Sequence, residues 1–237
     1  MIILLREHSH NNDVSIYYDD SRKLYYKISL TNYGHRLLEN EVMGINFFNK
    51  LVSKKKIYFK LYKKKNYFRL EINKIYGNII NYRESFTNNS KYFEKIAKFY
   101  LAKWPNTKKN VAHGDLTLDN IFFYKNKITL FDWEHYQSSS KIFFGYDLIY
   151  ILLSGIILPG EKKFDFSSKE KFKKLYKQLY NHRINKIYLD NPFKYIDRVI
   201  SNVFTGILIK SPNKFITISI HKNFKKKIID FMNKEVI

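Results

Sequence analysis

The stretch VAHGDLTLDNIFFYKNKITLFDWE, residues 111–134, decides the interpretation of this chain. It holds two short runs rich in Ile, Phe and Tyr, at 121–124 and 128–131, separated by a polar turn. Such runs are typical of β-strands, so the stretch predicts a loop that ends in a hairpin.

The polar residues of this stretch carry its chemistry. They form the pattern His113-x-Asp115-x4-Asn120, followed after the hairpin by Asp132. Because Asp115 lies on the loop, Asn120 at its end and Asp132 after the second strand, we expect the three to converge. Carboxylate and amide oxygens suit Mg2+, and phosphoryl transfer needs a carboxylate at the attacking hydroxyl. An isolated Asp-x4-Asn is ordinary turn chemistry, so the joint spacing carries the argument.

The sequence resembles the aminoglycoside phosphotransferase and choline kinase group, which has the protein-kinase-like fold. HGDLTLDN looks like the catalytic loop of this group, with Gly where protein kinases carry Arg, and FDWE looks like its metal-binding segment. The resemblance makes Asp115 the catalytic carboxylate and Asn120 and Asp132 the Mg2+ ligands. It gives His113 the part of bracing the loop. The cofactors that it implies are ATP and Mg2+.

The first part of the chain predicts a small sheet with one helix. Residues 37–51 have apolar side chains at helical spacing. Five strand candidates surround this helix in the order strand-strand-strand-helix-strand-strand; they lie at 2–5, 14–18, 24–30, 57–62 and 67–72.

This first part also resembles the nucleotide-binding region of the same group. Lys27 lies on the third strand candidate, where such kinases place the lysine that contacts phosphates, and Glu41 resembles its glutamate partner. Glu39 is the competing choice, but Glu41 fits the apolar helical pattern better. The segment LEINKIYG, with Glu71 and Asn73, looks like the hinge that binds adenine.

The phosphate loop departs from the pattern of the group. No Gly-rich loop precedes Lys27, and the candidate loop is 8–13, in which Ser9 and backbone N–H groups could bind phosphate instead. Further along the chain, GYDLIYILL resembles the segment in which Asp147 supports the catalytic loop from a core helix.

After Gly77 the sequence becomes mainly helical. Asn89 or Ser90 can cap one helix, and a capping box at 167–170 predicts another. Four further features complete this part: an apolar core helix within 142–158, helices at 192–209 and 221–234, and the motif stretch itself. The prediction is an α+β, two-lobed protein-kinase-like fold, with a five-stranded N-lobe (1–77) and a mainly helical C-lobe (78–237).

Composition excludes several classes of site. The chain of 237 residues has no cysteine, which excludes disulfides, thiolate metal sites and cysteine nucleophiles. Its first apolar run is too short for a signal peptide, and no stretch reaches the ~20 apolar residues of a membrane span. We therefore expect a cytoplasmic protein without a membrane span.

The formal charge of +22 raises the question of nucleic acid. Lysine far outnumbers arginine, the preferred residue for base and phosphate contacts, so nucleic acid is an unlikely partner. A strongly positive field repels polycations. The sequence therefore favours a small-molecule hydroxyl substrate that is neutral or anionic, such as a sugar.

Other functions stay open at this point. They are a kinase for choline or aminoglycoside cations, a kinase for a protein or a lipid-linked sugar, a nucleotide-binding pseudokinase and a basic nucleic-acid-binding module. The missing Arg after His113 and the absence of an Ala-Pro-Glu motif argue against a regulated protein kinase. The oligomeric state is not predicted.

Overall fold

The computed structural model describes residues 1–6, 13–52, 56–105, 110–125, 127–139, 142, 144–180, 200–201 and 214–236. The chain forms two compact units. Unit 1 comprises Met1–Asn78, Ala112–Gly114 and Phe122–Ser138, and unit 2 comprises Ile79–Val111, Asp115–Ile121 and Ser139–Ile237. The chain therefore passes between the units within the motif stretch. The lobe boundaries predicted at 1–77 and 78–237 stay a prediction.

Unit 1 is built on a five-stranded antiparallel sheet. Its strands are β1 (Ile2–Arg6), β2 (Ser15–Asp19), β3 (Leu24–Ser29), β4 (Phe59–Lys64) and β5 (Tyr67–Asn73). Their order in the sheet is β1-β2-β3-β5-β4, so β3 is the central strand. The Asp19 carboxylate turns the chain between β2 and β3 by accepting hydrogen bonds from the N–H groups of Ser21 and Arg22.

The helix of unit 1 is α1 (Asn32–Leu51), between β3 and β4. Its buried stripe carries one carboxylate, Glu41, among apolar residues such as Leu38 and Ile45. The helix begins before the predicted residue 37 because Thr31 caps it, accepting a hydrogen bond from the N–H of Gly34 at 3.0 Å. Five strands and one helix were predicted here, and both are confirmed.

Five shorter strands follow along the chain. They are β6 (Asn78–Ile79), β7 (Asn110–Ala112), β8 (Ile121–Tyr124), β9 (Lys127–Leu130) and β10 (Gln137–Ser139). A 3-10 turn at Leu118–Asn120 precedes β8, and β8 and β9 are neighbours in one sheet. The predicted hairpin of the motif stretch is therefore confirmed, with its second strand one residue earlier.

The described part of unit 2 is mainly helical. Its α-helices are α2 (Phe86–Lys103), α3 (Tyr146–Ile157), α4 (Phe166–Tyr180) and α5 (Lys214–Phe231), followed by a π-helical turn at Met232–Val236. α3 is buried along nearly its whole length, as predicted for the apolar stretch 142–158. The helix predicted at 192–209 falls outside the described residues except for 200 and 201. None of the described helices has the length and apolarity needed to cross a membrane.

Two predicted helix caps are wrong. Ser85, not Asn89 or Ser90, caps α2 by accepting from the N–H of Asn88, and the side chain of Asn89 instead donates to the Asn81 carbonyl. At α4 the Asp165 carboxylate accepts from the N–H of Ser168 at 2.7 Å. The real caps lie upstream: α2 begins at Phe86, about one turn earlier than predicted, and α4 begins at Phe166, two residues earlier.

Candidate functional site

Lys27 lies in the middle of the central strand β3. It is opposite Ile16 of β2 and Leu70 of β5, and it is buried. Burial of a lysine is unfavourable unless the ammonium is paired, because the charge loses its water. The position therefore requires acidic partners.

Three carboxylates surround the Lys27 ammonium. Its Nζ lies 3.2 Å from Glu41 Oε2, 2.5 Å from Asp132 Oδ1 and 2.9 Å from Glu134 Oε1. Glu41 and Glu134 are buried, whereas the Asp132 side chain is 25% exposed. We call these four residues the Lys27 cluster. The structure brings the predicted partners Lys27 and Glu41 together, while Glu39 pairs instead with exposed Lys63.

The Lys27 cluster has more acidic groups than cations. Burial alone lowers the pKa of Lys27, but attraction by Asp132, Glu134 and Glu41 outweighs it, so the pKa lies well above its usual value. Burial raises the pKa of Glu41 to about 8; Lys27 opposes this rise, and Asp132 and Glu134 add to it. One ammonium does not neutralise three carboxylates, so repulsion by Asp132 and Glu134 adds to burial in raising the affinity of Glu41 for a proton.

Close packing against α1 holds the segment that carries Asp132 and Glu134. A Cβ on Gly44 would lie 2.4 Å from Trp133 Cβ, so the helix can approach the tryptophan only with glycine there. Asn40 Nδ2 donates to the Glu134 carbonyl at 3.1 Å. Asp132 has a φ of +63°, a left-handed conformation that aspartate tolerates better than most residues.

His113, which precedes this segment in the chain, also contacts it. It is fully buried, its Nε2 donates to the Phe131 carbonyl at 2.9 Å, and its ring lies against Trp133. Gly114 follows with a φ of +88°, and a Cβ there would lie 2.3 Å from the His135 carbonyl oxygen. Arginine, which protein kinases have at this position, would not fit. These contacts agree with the bracing predicted for His113. Its role in the function of the protein stays a prediction.

Asp115 and Asn120 lie in unit 2, on the segment that we call the Asp115 loop (115–120). Asn120 Nδ2 donates to the Asp115 backbone carbonyl at 2.8 Å, which leaves its amide oxygen as the atom that could bind a metal. The Asp115 carboxylate accepts a hydrogen bond from the Tyr150 hydroxyl, at 2.8 Å from Oδ1. The loop is thus closed by its own side chains and tied to α3.

Asp147 lies in the first turn of α3 and is fully buried. Helix N-termini favour negative charge, which suits a carboxylate in the first turn. Gly145 caps the helix at a φ of +96°, and its N–H donates to the Tyr100 hydroxyl at 3.1 Å. Burial, and then the charge of Asp147, raise the pKa of Tyr100 well above its usual value.

The other predicted nucleotide-binding residues lie elsewhere. Glu71 on β5 is opposite Tyr26, so its side chain and that of Lys27 are on opposite faces of the sheet. It contacts Arg69 at 3.1 Å and accepts from the Tyr62 hydroxyl. Asn73 is exposed, and its N–H donates to the Tyr58 carbonyl. Ser9 falls outside the described residues, and adenine binding by 70–77 stays a prediction.

Two residues that contact the predicted site residues were not identified from the sequence. Glu134 contacts Lys27, and its signal was its place two residues after Asp132. Tyr150 contacts Asp115, and its signal was its place one helical turn after Asp147, on the same face of α3.

The donor set of the Lys27 cluster fits a divalent cation. One carboxylate oxygen from each of Glu41, Asp132 and Glu134 can be chosen so that all three lie within 4.8 Å of one another. Magnesium binds oxygens at ~2.0–2.1 Å, so oxygens on opposite sides of the ion are ~4.2 Å apart. A cation there would also offset the charges of Asp132 and Glu134, which add to the effect of burial on the pKa of Glu41.

Comparisons with known proteins identify the fold. No family model and no curated protein sequence matches the chain. The structure is similar to aminoglycoside 2'-phosphotransferase-IIIa in complex with GDP, with a TM-score of 0.61 and 11% identity, over 96% of this chain and 93% of that one. A GDP and kanamycin complex of an APH(2'') enzyme gives a TM-score of 0.58 and 12% identity, over 99% and 94%.

A third similar structure is amicoumacin kinase in complex with AMP-PNP and Ca2+. Its TM-score is 0.56 and its identity 12%, over 97% of this chain and 88% of that chain. At such identities the likeness concerns the fold. It confirms the predicted fold class: the chain has the α+β, two-lobed, protein-kinase-like fold of the aminoglycoside phosphotransferases.

Proposed function

We propose that the chain is an ATP- and Mg2+-dependent phosphotransferase that acts on a hydroxyl of a small molecule. The observation that carries the proposal is the Lys27 cluster, in which a buried lysine on the central strand of the sheet contacts three carboxylates. A buried ionic group of this kind is a poor way to stabilise a fold and is frequent at functional sites.

In the proposed reaction a hydroxyl oxygen of the acceptor bonds to the γ-phosphorus of ATP. The bond between that phosphorus and the β,γ-bridging oxygen breaks, and ADP leaves. The hydroxyl proton passes to the Asp115 carboxylate, which also orients the hydroxyl. Catalysis of this kind consists mostly of positioning and neutralisation of phosphate charge.

Lys27 would supply fixed positive charge to the phosphates, and Glu41 would hold the lysine in place. We retain Asn120 and Asp132 as proposed Mg2+ ligands and add Glu134, whose carboxylate lies beside Asp132 at the same ammonium. Bound Mg2+ would neutralise phosphate charge. The nucleotides and the Ca2+ named for the similar structures support this proposal.

For the acceptor we propose a neutral or anionic hydroxyl compound such as a sugar. The chain carries 43 basic and 21 acidic residues, and a strongly positive field disfavours polycations. Kanamycin, named for one similar structure, is an aminoglycoside and thus a polycation. Charge therefore separates this proposal from an aminoglycoside kinase.

The test is transfer of γ-labelled phosphate from Mg-ATP to a panel of sugars, amino alcohols and aminoglycosides, at low and high salt. We expect labelled product with a neutral or anionic acceptor and weak turnover of kanamycin. Efficient, salt-independent turnover of kanamycin would overturn the substrate proposal and leave the phosphotransferase standing. Tight Mg-ATP binding without transfer to any acceptor, and without ATP hydrolysis, would favour a pseudokinase.

A further inference from the structure

A tyrosine of the helical unit contacts the proposed catalytic carboxylate directly. Tyr150 lies in the second turn of α3, and 6% of its surface is exposed. Its hydroxyl is 2.8 Å from Asp115 Oδ1. Asp115 is 35 residues earlier in the chain, so the contact joins a loop to a core helix.

Both the backbone and the side chain of Asp115 are held by hydrogen bonds. Its backbone carbonyl accepts from Asn120 Nδ2 at 2.8 Å, which fixes the main chain. Its carboxylate oxygen Oδ1 accepts from Tyr150, which fixes the rotation of the side chain. A carboxylate with one oxygen engaged in this way presents its other oxygen, Oδ2, in a defined direction.

We infer that Tyr150 is a positioning residue for phosphoryl transfer: by donating to Oδ1, it holds Asp115 so that Oδ2 receives the proton of the acceptor hydroxyl. The inference rests on the function proposed for this chain. It concerns orientation of the side chain, and it assigns Tyr150 no contact with substrate or nucleotide.

The surroundings of Tyr150 favour the protonated form of its hydroxyl, the form that donates a hydrogen bond. Burial, and then the charge of Asp115, raise the pKa of its hydroxyl far above the usual value, with smaller effects from Tyr146 and Asp119. The hydroxyl therefore keeps its proton at neutral pH and can act as a hydrogen-bond donor. Because α3 is almost wholly buried, the donor itself is held by a rigid element.

A purely structural tie between the loop and α3 is the competing explanation. Such a tie would act equally well on a backbone group, as the Tyr100 hydroxyl does in the same unit by accepting a hydrogen bond from the Gly145 N–H. Tyr150 instead reaches the tip of the carboxylate, the part of Asp115 that would do the chemistry. The two explanations differ in what removal of the hydroxyl does to turnover.

The experiment uses Tyr150→Phe, Asp115→Ala and the double variant. Turnover of Mg-ATP is measured with glucose, ethanolamine and kanamycin as acceptors and with water alone. Misplacement of a catalytic group by about 1 Å can reduce rate ~100-fold, so we expect kcat of Tyr150→Phe to fall about 10- to 100-fold. KM for ATP should stay within about twofold, since Tyr150 is assigned no contact with the nucleotide and acts only on the orientation of Asp115.

In the Asp115→Ala background the same Tyr150→Phe change should leave residual kcat unaltered, because Tyr150 acts only through that carboxylate. Tyr26→Phe is the matched control. It removes another buried tyrosine hydroxyl that donates to an aspartate, Asp19, at 3.5 Å. The control should lose stability without a fall in kcat.

A second measurement needs no activity. Urea unfolding of the four proteins in the Tyr150 and Asp115 cycle should show non-additive midpoints, because the two side chains share one hydrogen bond. Additive midpoints would overturn the inference, whatever the enzyme does. Non-additive midpoints with an unchanged kcat in Tyr150→Phe would also overturn it, in favour of a structural tie. If the wild-type chain turns over no Mg-ATP at all, the proposed function falls, and the positioning role falls with it.

Discussion

The Lys27 cluster and the Asp115 loop hold their carboxylates by opposite means. In the cluster one ammonium is shared by three acidic groups, and burial together with mutual repulsion leaves Glu41 with a raised pKa of about 8. In the loop one carboxylate is held by a neutral hydroxyl, with a neutral amide fixing its backbone. The first arrangement is built for charge, and the second for direction.

Mutations in the two regions should therefore have different effects. Changes in the Lys27 cluster alter charge balance, so they should affect stability and binding of Mg-ATP. Changes in the Asp115 loop alter one oriented oxygen, so they should affect turnover and little else.

The largest expected effect is on turnover. Asp115→Asn keeps the shape of the side chain but removes the base, so kcat should fall about 10²- to 10⁴-fold, as is typical for general bases. The upward shift in melting temperature with Mg-ATP should persist. Steady-state kinetics and thermal melts measure the two quantities.

Asp132→Asn is the matched variant in the Lys27 cluster. Asparagine also tolerates the left-handed φ of this position, so only the charge is lost. A ligand at a hundredfold excess over its Kd stabilises by ~2.7 kcal/mol, and most of that shift should disappear. Equal loss of the Mg-ATP shift in both variants would contradict the division between the two regions.

The next effect is on stability. Lys27→Met removes the ammonium and leaves three carboxylates facing one another, and breaking a buried ion pair costs about 3–5 kcal/mol. Lys63→Met is the control, because it breaks an exposed pair with Glu39, and such pairs contribute about 0–1 kcal/mol. Urea unfolding in EDTA measures the free energy of unfolding of both variants. Similar losses would show that removing the buried ammonium has no larger electrostatic cost than breaking an exposed pair.

A smaller effect is expected from packing at α1. Gly44→Ala places a methyl group 2.4 Å from Trp133 Cβ, and overpacking of this kind costs about 1–3 kcal/mol. Because Trp133 lies between Asp132 and Glu134 in the chain, the Mg-ATP shift should also weaken. Unfolding with and without Mg-ATP distinguishes the two effects, and an unchanged Mg-ATP shift would show that α1 does not set the position of the two carboxylates.

The elements of the fold were accessible from the sequence through local periodicity, and the Lys27–Glu41 pair was expected from the resemblance to the phosphotransferase group, with helical spacing favouring Glu41 over Glu39. Glu41 shares the buried stripe of α1 with apolar residues, so its inward direction follows from helical spacing. Glu71 shows the limit of that reasoning. Only the register of β5 against β3 shows which face of the sheet its side chain occupies.

The contacts that close the two regions were not accessible. Tyr150 reaches Asp115 across 35 residues, and nothing in either local pattern specifies that approach. Glu134 reaches Lys27 because Asp132 adopts a positive φ and Gly44 lets α1 come close, both of which are properties of the folded chain. Spacing can name the catalytic residue types, but packing decides what holds them.

The most gradual effect is the pH dependence of stability, which is spread over several pH units, and Glu41 sets its sign. The pKa of Glu41 is raised from 4.5 in the unfolded chain to about 8 in the fold. The folded state therefore binds the proton more tightly, and the stabilisation is complete below pH 4.5 and lost as pH rises through about 8. One proton changes the free energy of unfolding by at most ~1.4 kcal/mol per pH unit.

In EDTA, wild-type stability should therefore contain a component that declines between pH 4.5 and 8, and Glu41→Gln should remove it. Glu39→Gln on the exposed side of the same helix is the control and should leave the decline in place. Added Mg2+ should flatten the wild-type decline, because a cation among the three carboxylates would let Glu41 ionise inside the fold. A decline that is the same in wild type and Glu41→Gln would mean that the acidic excess of the Lys27 cluster is relieved in another way, and the case for a cation there would lose its electrostatic support.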